Sequence, residues 1–300
     1  MPERSSDRRP VAGSILRLLR PVHWIKNGFV LAPLLFAFPQ ASPAFALRAL
    51  TALLAFCFAS SAVYAVNDIL DRDRDRACPL KRGRPVASGD LSTVQAGVAA
   101  AACALAAACL SVLLLPLPAA VIVGVYAALN LLYSLRLKHV VIMDVIAIST
   151  GFVLRVFAGA MALAVPVSAW MILTTFFLSL FLGFTKRRAE LATADAGSAR
   201  QVLGQYSEPF LLVLIALCAG LTIMTYALSV IQPSMAARPG ADTMLYTVPV
   251  VVYGLLRYLL LSLRSGKGAD VAELVIRDIP LLVTVLLWGG VVVAFVVFRV

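Results

Sequence analysis

Charge is what this chain has least of. Only 14% of its 300 residues are Asp, Glu, Lys or Arg, where a soluble globular domain carries about a quarter. Histidine occurs twice, and the five cysteines form no CxxC pair. Those shortages leave nothing for zinc-finger, thiol-redox or haem-attachment chemistry to stand on. No Gly-rich phosphate loop, HExxH or nucleophile elbow occurs either. The first 20 residues contain no apolar core followed by a small-residue cleavage site, so a cleaved signal peptide is not expected. What is abundant is apolar: 61% of the chain is hydrophobic and the mean hydropathy is +0.94. A disordered chain and a water-soluble enzyme are both excluded by that balance.

Nine segments approach the roughly 20 apolar residues that a helix needs to cross a hydrocarbon core. They fall at about 28–47, 49–67, 93–115, 118–135, 141–160, 168–185, 209–231, 244–263 and 279–299. Pro33, Pro39 and Pro43 interrupt the first. No pattern of short alternating strands appears, and open backbone is not tolerated in lipid. The fold expected is all-α: a polytopic membrane bundle of about nine transmembrane helices. Residues 1–27 form an N-terminal segment, and 28–300 form one membrane domain with polar loops near 68–90, 136–140, 186–208 and 264–278.

Every Lys and Arg except Arg48, Arg155, Arg238, Arg257 and Arg299 falls in the N-terminal segment or in those loops. Such asymmetry places them on the cytosolic side of the inner (plasma) membrane. It accounts for the net charge of +11 without invoking nucleic acid. It does not account for the acids, most of which lie on the same side.

The densest acidic stretch is NDILDRDRDRACPLKRGRP, residues 67–85. It continues directly from the second apolar segment. If the helix persists, Asp68, Asp71 and Asp75 sit at i, i+3 and i+7 on one face, while Asp73 points elsewhere. Three carboxylates on a shared face repel unless cations compensate. Mg²⁺ meets that need, since it is held by hard oxygens, commonly one or two carboxylates plus substrate phosphates. Asn67 adds a neutral oxygen. The competing account is a solvated loop whose alternating Asp and Arg side chains pair with one another. Lys81, Arg82 and Arg84 follow, framed by Pro79 and Pro85. Guanidinium groups bind phosphate bidentately and lysine adds a compact charge, so acids and bases together outline a diphosphate site. Each of these three cations also suits plain cytosolic anchoring.

Three further constellations carry charge. YSLRLKHVVIMDV, residues 133–145, brings Lys138 and His139 to a turn and Asp144 to the start of the next span. Asp144 and Arg155 share a helix face at about 16 Å axial separation, marking two depths of one polar pocket; the alternative for Arg155 is a structural pair with another helix. TKRRAEL, residues 185–191, sets Lys186 and Glu190 at i,i+4, the spacing of a surface salt bridge. A polar loop with Arg200, Tyr206 and Glu208 follows. RPVHWIKN, residues 20–27, is either an interfacial anchor through Trp24 and Lys26 or a phosphate contact through Lys26.

Taken together, NDxxDxxxD at Asn67–Asp75, the KRGRP continuation and the YSxxLK element from Tyr133 to Lys138 resemble the UbiA-like intramembrane prenyltransferase superfamily over essentially the whole membrane domain. The resemblance implies an all-helical bundle with a cytosol-facing site, Mg²⁺ as cofactor, a diphosphate substrate and a long isoprenoid. Members that act on aromatic acceptors usually carry a second aspartate-rich motif at the end of span six. Here that place reads FTKRRAEL, with only the later Asp195.

Within the superfamily the chain is most similar to the decaprenyl-phosphate phosphoribosyltransferase branch. RPVHWIKN, LKHVVIMDV with GFVLRVFAGA, and TKRRAEL followed by a tyrosine loop add to that likeness. The branch implies transfer of 5-phosphoribose from phosphoribosyl diphosphate to a polyprenyl phosphate, with release of diphosphate, toward arabinan precursors of the cell envelope. Under this resemblance Asp68, Asp71 and Asp75 are the catalytic and metal-binding acids, with Asn67 in support. Lys81, Arg82, Arg84 and Lys186 meet donor phosphates, and Lys26, Lys138 and Arg155 guide the lipid phosphate. Asp144 meets ribose hydroxyls or orients a cation, and Tyr133, Arg187, Glu190 and Tyr206 complete the substrate site. Prenyl transfer to an aromatic or lipid acceptor and membrane transport are the competing functions. The partners expected are the two substrates and bilayer lipids; the oligomeric state is left open.

Overall fold

The computed structural model describes residues 10–34, 42–79, 81–193, 201–231, 244–265 and 271–298. These form α1 (Val11–Leu19), a 3-10 segment (Pro21–Leu31), α2 (Pro43–Leu70), α3 (Arg72–Ala77), α4 (Pro85–Ser88), α5 (Thr93–Leu114) and α6 (Leu117–Leu135). A 3-10 turn (Leu137–His139) leads to α7 (Met143–Leu163) and α8 (Ala169–Thr193). A second turn (Gln201–Gln205) precedes α9 (Glu208–Ile231), α10 (Thr247–Ser265), α11 (Val271–Arg277) and α12 (Ile279–Phe298). No strand occurs among the described residues.

Seven of these helices, α2 and α5 through α10, are long and apolar enough to cross a membrane, and α12 adds a shorter apolar stretch, Ile279–Phe295. The protein is a multi-pass membrane protein. The expected span at 28–47 is not one helix. Its first part is the 3-10 segment ending at Leu31 before Pro33, and residues 35–41 lie outside the described residues. Its last part belongs to α2, which runs unbroken from Pro43 through the exposed Arg48 to Leu70. Proline is why the helix starts there: Pro43 has no N–H to leave unsatisfied, and the Ser42 hydroxyl accepts from the Phe45 N–H.

Short links make the spanning helices antiparallel. Leu115 and Pro116 join α5 to α6, and a chain reversal through Ala164, at φ 53°, joins α7 toward α8. The alternation brings the C-terminal ends of α2, α6, α8 and α10 to the same side as the N-terminal ends of α5, α7, α9 and α12. The described parts of the polar loops named above gather on that side.

The two largest apolar clusters among the described residues tie the spanning helices together. Phe56, Ala119, Val123, Tyr126 and Ala158 join α2, α6 and α7. Val145, Phe181, Leu211, Ile215 and Tyr258 join α7, α8, α9 and α10. Lipid tails are as apolar as leucine, so close packing rather than hydrophobic transfer holds such helices together, and small residues are what permit it. Gly159 shows the limit. A Cβ there would sit 1.8 Å from the Val30 carbonyl oxygen, so the 3-10 segment lies directly on α7.

Candidate functional site

The charged sequence stretch folds back on itself because α2 stops. Asp71 ends it at φ −94°, ψ 6°, and α3 restarts at Arg72. The single helix face expected across Asp68, Asp71 and Asp75 is therefore broken at its middle member. Even so, the three carboxylates stay around one region, because α3 turns the chain through less than two helical turns before Cys78 ends it.

Cations separate them. Arg20 at the end of α1 donates to Asp68 Oδ1 at 2.5 Å. The Arg84 guanidinium bridges Asp68 Oδ1 at 3.3 Å and Asp75 Oδ2 at 2.7 Å. Lys138, from the turn after α6, donates to Asp71 Oδ1 at 2.8 Å. Asp68 and Asp75 are 1% and 2% exposed. Arg20 and Arg84 supply the opposite charge that buried carboxylates need. Arg20 itself takes a left-handed conformation, φ 53°, to reach in. Burial lowers its affinity for its proton below the ordinary arginine value; Arg84 acts in the same direction and Asp68 opposes both.

Around these pairs opens a polar cleft of about 190 Å³. Asn67, Asp71, Arg74, Asp75, Lys81 and Arg84 line it from α2, α3 and the loop that follows. Tyr133, Ser134, Lys138 and His139 line it from the end of α6, and Arg20 and Tyr64 complete it. Two oxygens here have no hydrogen-bond partner although they are buried: Asn67 Oδ1 and Asp68 Oδ2. Open, desolvated oxygens beside further carboxylates are donors of the kind Mg²⁺ takes. Among the described residues no three such side chains are close enough to cage a metal unaided. The donor set therefore fits a cation shared with phosphate oxygens rather than one bound by protein alone.

A second network lies apart from the cleft lining. Asp144, fully buried at the start of α7, accepts from Arg187 Nε at 2.7 Å and from the Tyr206 hydroxyl at 2.8 Å. Arg187 also bonds Glu190. The Tyr206 oxygen accepts from the Ile142 N–H at 2.7 Å, where Ile142 holds φ 69°. Burial, and the hydrogen bond given to Asp144, raise Tyr206 far above the ordinary phenol value, so it stays a donor. The arrangement pins the strained α6–α7 corner to the loop before α9.

Several expected positions differ. Lys186 is exposed and outside the cleft; α8 turns Arg187 inward instead, and Glu190 pairs with Arg187 rather than with Lys186. Arg82 is exposed and outside the lining, between Lys81 and Arg84, which belong to it. Lys26 is half-buried and also outside. Trp24 Nε1 donates to Ser61 of α2 at 3.0 Å.

Arg155 and Asp144 do not share a pocket. Arg155, about three turns further along α7 and also buried, donates to Asn27 Oδ1, the Gly151 carbonyl and the Tyr126 hydroxyl, with its guanidinium against the rings of Tyr126 and Phe152. Asp195 and Arg200 lie outside the described residues. His139, noted beside Lys138 at the turn, lines the cleft, and Arg20, Tyr64, Arg74 and Ser134 line it without having been singled out. Tyr64 alone had a local signal, four residues before Asp68 on the same helical face. Arg20 reaches Asp68 across 48 residues, which no local pattern reveals.

Comparison with known proteins bears on the family and the fold. The model of the UbiA prenyltransferase family matches residues 28–276. The chain is 31% identical to the decaprenyl-phosphate phosphoribosyltransferase of Mycolicibacterium smegmatis, over 98% of each chain. It is 34% identical to the Corynebacterium glutamicum protein of the same name, over 95% of this chain and 88% of that one. Among solved structures, a UbiA homolog from Archaeoglobus fulgidus bound to GPP and Mg²⁺ superimposes with a TM-score of 0.71 at 21% identity, covering 95% of this chain and 98% of that one. At that identity the likeness is one of fold.

Proposed function

The chain belongs to the UbiA prenyltransferase family, and from that premise we propose that it transfers 5-phosphoribose from phosphoribosyl diphosphate to a polyprenyl phosphate, with release of diphosphate. The observation that carries this is its near full-length similarity to two decaprenyl-phosphate phosphoribosyltransferases. The end of α8 supports it. Where an aromatic-acceptor member would present a second acidic cluster, this chain buries Arg187 against Asp144 and Glu190.

The cleft supplies what the reaction needs. Asp68, Asp71 and Asp75, with Asn67, would hold Mg²⁺ jointly with the donor's diphosphate; the open Asn67 Oδ1 and Asp68 Oδ2 are the atoms already free for it. Bound there, Mg²⁺ offsets the negative charge that develops on the departing diphosphate. Arg84, Lys81, Arg74 and Arg20 stand on the same cleft to receive phosphate oxygens. With both bound, the carboxylates now paired to Arg20, Arg84 and Lys138 would face the metal, and those cations would face phosphate oxygens.

Lys138 and His139, across the cleft at the end of α6, are placed to orient the incoming lipid phosphate. An oxygen of that phosphate forms the new bond to ribose C1 while the C1–O bond to diphosphate breaks. The attacking oxygen is already ionised, so the chain needs no strong base, and the scarcity of histidine is no obstacle. Asp144, Arg187, Glu190 and Tyr206 act as positioning residues, holding the α6–α7 corner from which Lys138 projects. The cleft faces the cytosol, on the side where the basic loops gather.

An assay in membranes tests the activity. Labelled phosphoribosyl diphosphate is supplied with polyprenyl phosphate, with and without Mg²⁺, beside a parallel mixture of prenyl diphosphate and a hydroxybenzoate. Label is expected in the organic phase only with the lipid phosphate and the metal. Product from the second mixture alone would overturn the proposal.

A further inference from the structure

A second cavity, about 430 Å³, lies between α2, α5 and α6. It is within the range of about 300–1,000 Å³ typical of ligand pockets. Its walls are almost wholly small and apolar, among them Ala62, Ala104, Ala108 and Gly124, and no charged side chain lines it. Two residues connect it to the polar cleft: Asn67 and Ser134 line both cavities. Ser134 is buried and directs its hydroxyl to the Asn130 carbonyl, so it offers no anion contact inside the wedge. Asn67 keeps its Oδ1 open at the junction. From Ser134 to Ala120 the α6 wall extends about 21 Å along the helix, most of a hydrocarbon core of about 30 Å. A large apolar cavity between α8, α9, α10 and α12 shares no lining residue with the polar cleft.

We infer that this α2–α5–α6 wedge holds the isoprenoid tail of the acceptor lipid phosphate, whose head enters the cleft past Asn67 and Ser134. Phosphoribosyl transfer to a lipid phosphate is the premise of the assignment. The chemistry at each end selects the ligand: an anion for the basic cleft, and an uncharged, branched chain for walls of alanine and glycine. A free sugar phosphate has no use for the wedge, and an ordinary neutral lipid has no use for the cleft. Small side chains also make the groove by absence, since bulkier residues on α5 and α6 would close it.

Gly124→Leu and Ala108→Leu fill the wedge from two different helices. Both positions are exposed, and a Cβ at Gly124 meets nothing within 4 Å, so insertion and folding are retained. The KM for a long polyprenyl phosphate is expected to rise about tenfold in each. The KM for phosphoribosyl diphosphate, and turnover of dimethylallyl phosphate, which has no tail to place, should stay within about twofold of the parent. Equal loss on both acceptors, or no change on either, would overturn the assignment. Independently of turnover, a polyprenyl phosphate carrying a diazirine in its tail is photolysed with the full-length protein in membranes. Label on α5 and α6 peptides, suppressed by unlabelled polyprenyl phosphate but not by phosphatidylglycerol, supports the wedge. Label on α8 to α12 peptides, or label suppressed by any phospholipid, would sink it. Specific wedge labelling in a protein that transfers no phosphoribose leaves the groove standing and removes the proposed reaction.

Discussion

Asp71 differs from its two acidic neighbours in a way that makes it the cleaner test. Asp68 and Asp75 are almost fully buried and each neutralises a guanidinium, so removing either leaves cations stranded. The Asp71 side chain is 26% exposed and pairs with one lysine at the cleft edge. Asp71→Ala is therefore expected to leave the membrane-inserted amount of protein unchanged while lowering diphosphate release at least about a hundredfold, since an electrostatic contact at the reacting group is worth roughly that much. Near-normal release would remove Asp71 from the metal and donor site. Arg187 is the opposite case. Breaking a buried pair leaves an uncompensated charge, at a cost of about 3–5 kcal/mol, and the Asp144 side chain has no exposure at all. Arg187→Met should lower the thermal unfolding midpoint markedly in detergent, whereas Asp144→Asn combined with Arg187→Met should recover much of that loss. Equal midpoints for the single and double variants would show that the pair carries no such cost.

At the scale of elements, small side chains let helices approach, and among the described glycines Gly159, where the 3-10 segment meets α7, leaves the least room for a Cβ. Gly159→Ala would place a methyl group against the Val30 carbonyl, which is backbone and has no rotamer to yield. Overpacking of this kind costs about 1–3 kcal/mol, so a lower unfolding midpoint is expected, with reduced activity as the segment bearing Arg20 and Asn27 shifts. Gly289→Ala in α12 has nothing within 4 Å and serves as the comparison; its midpoint should match or slightly exceed the parent, as alanine favours helix. The same segment explains Arg155. An arginine buried among hydrophobic helices has no carboxylate partner among the described residues, yet Asn27, Tyr126 and the Gly151 carbonyl satisfy it, and three aromatic rings shield it. It fastens the N-terminal segment to α7.

For the molecule as a whole, the proposed cytosolic orientation of the cleft rests on the distribution of Lys and Arg. In a background with Cys78 and Cys109 changed to Ala, a membrane-impermeant thiol reagent applied to intact cells should label Arg48→Cys and spare Arg82→Cys until the membrane is opened. Both positions are exposed. The reverse pattern would put the cleft outside the cell.

Membrane insertion, helical class and the acidic loop were legible in the sequence because each rests on local information. Apolar run length, proline position and the spacing of Asp68, Asp71 and Asp75 are all properties of neighbouring residues. The branch resemblance, too, was carried by short motifs. What the sequence could not supply was partnership across the bundle. Lys186 and Arg187 are adjacent and equally basic, and only the rotation of α8 against α7 decides that Arg187 meets Asp144 while Lys186 faces out. Arg20 comes to Asp68 because α1 packs on α2 through Leu18 and Ala65, and Asn27 comes to Arg155 because the 3-10 segment lies on α7. The N-terminal region read as a long apolar span is instead interrupted, since proline removes the hydrogen bonds that would have continued it. Local order follows from adjacent residues; which charge meets which follows from helix packing, where a turn of about 100° per residue separates a buried ion pair from an exposed cation.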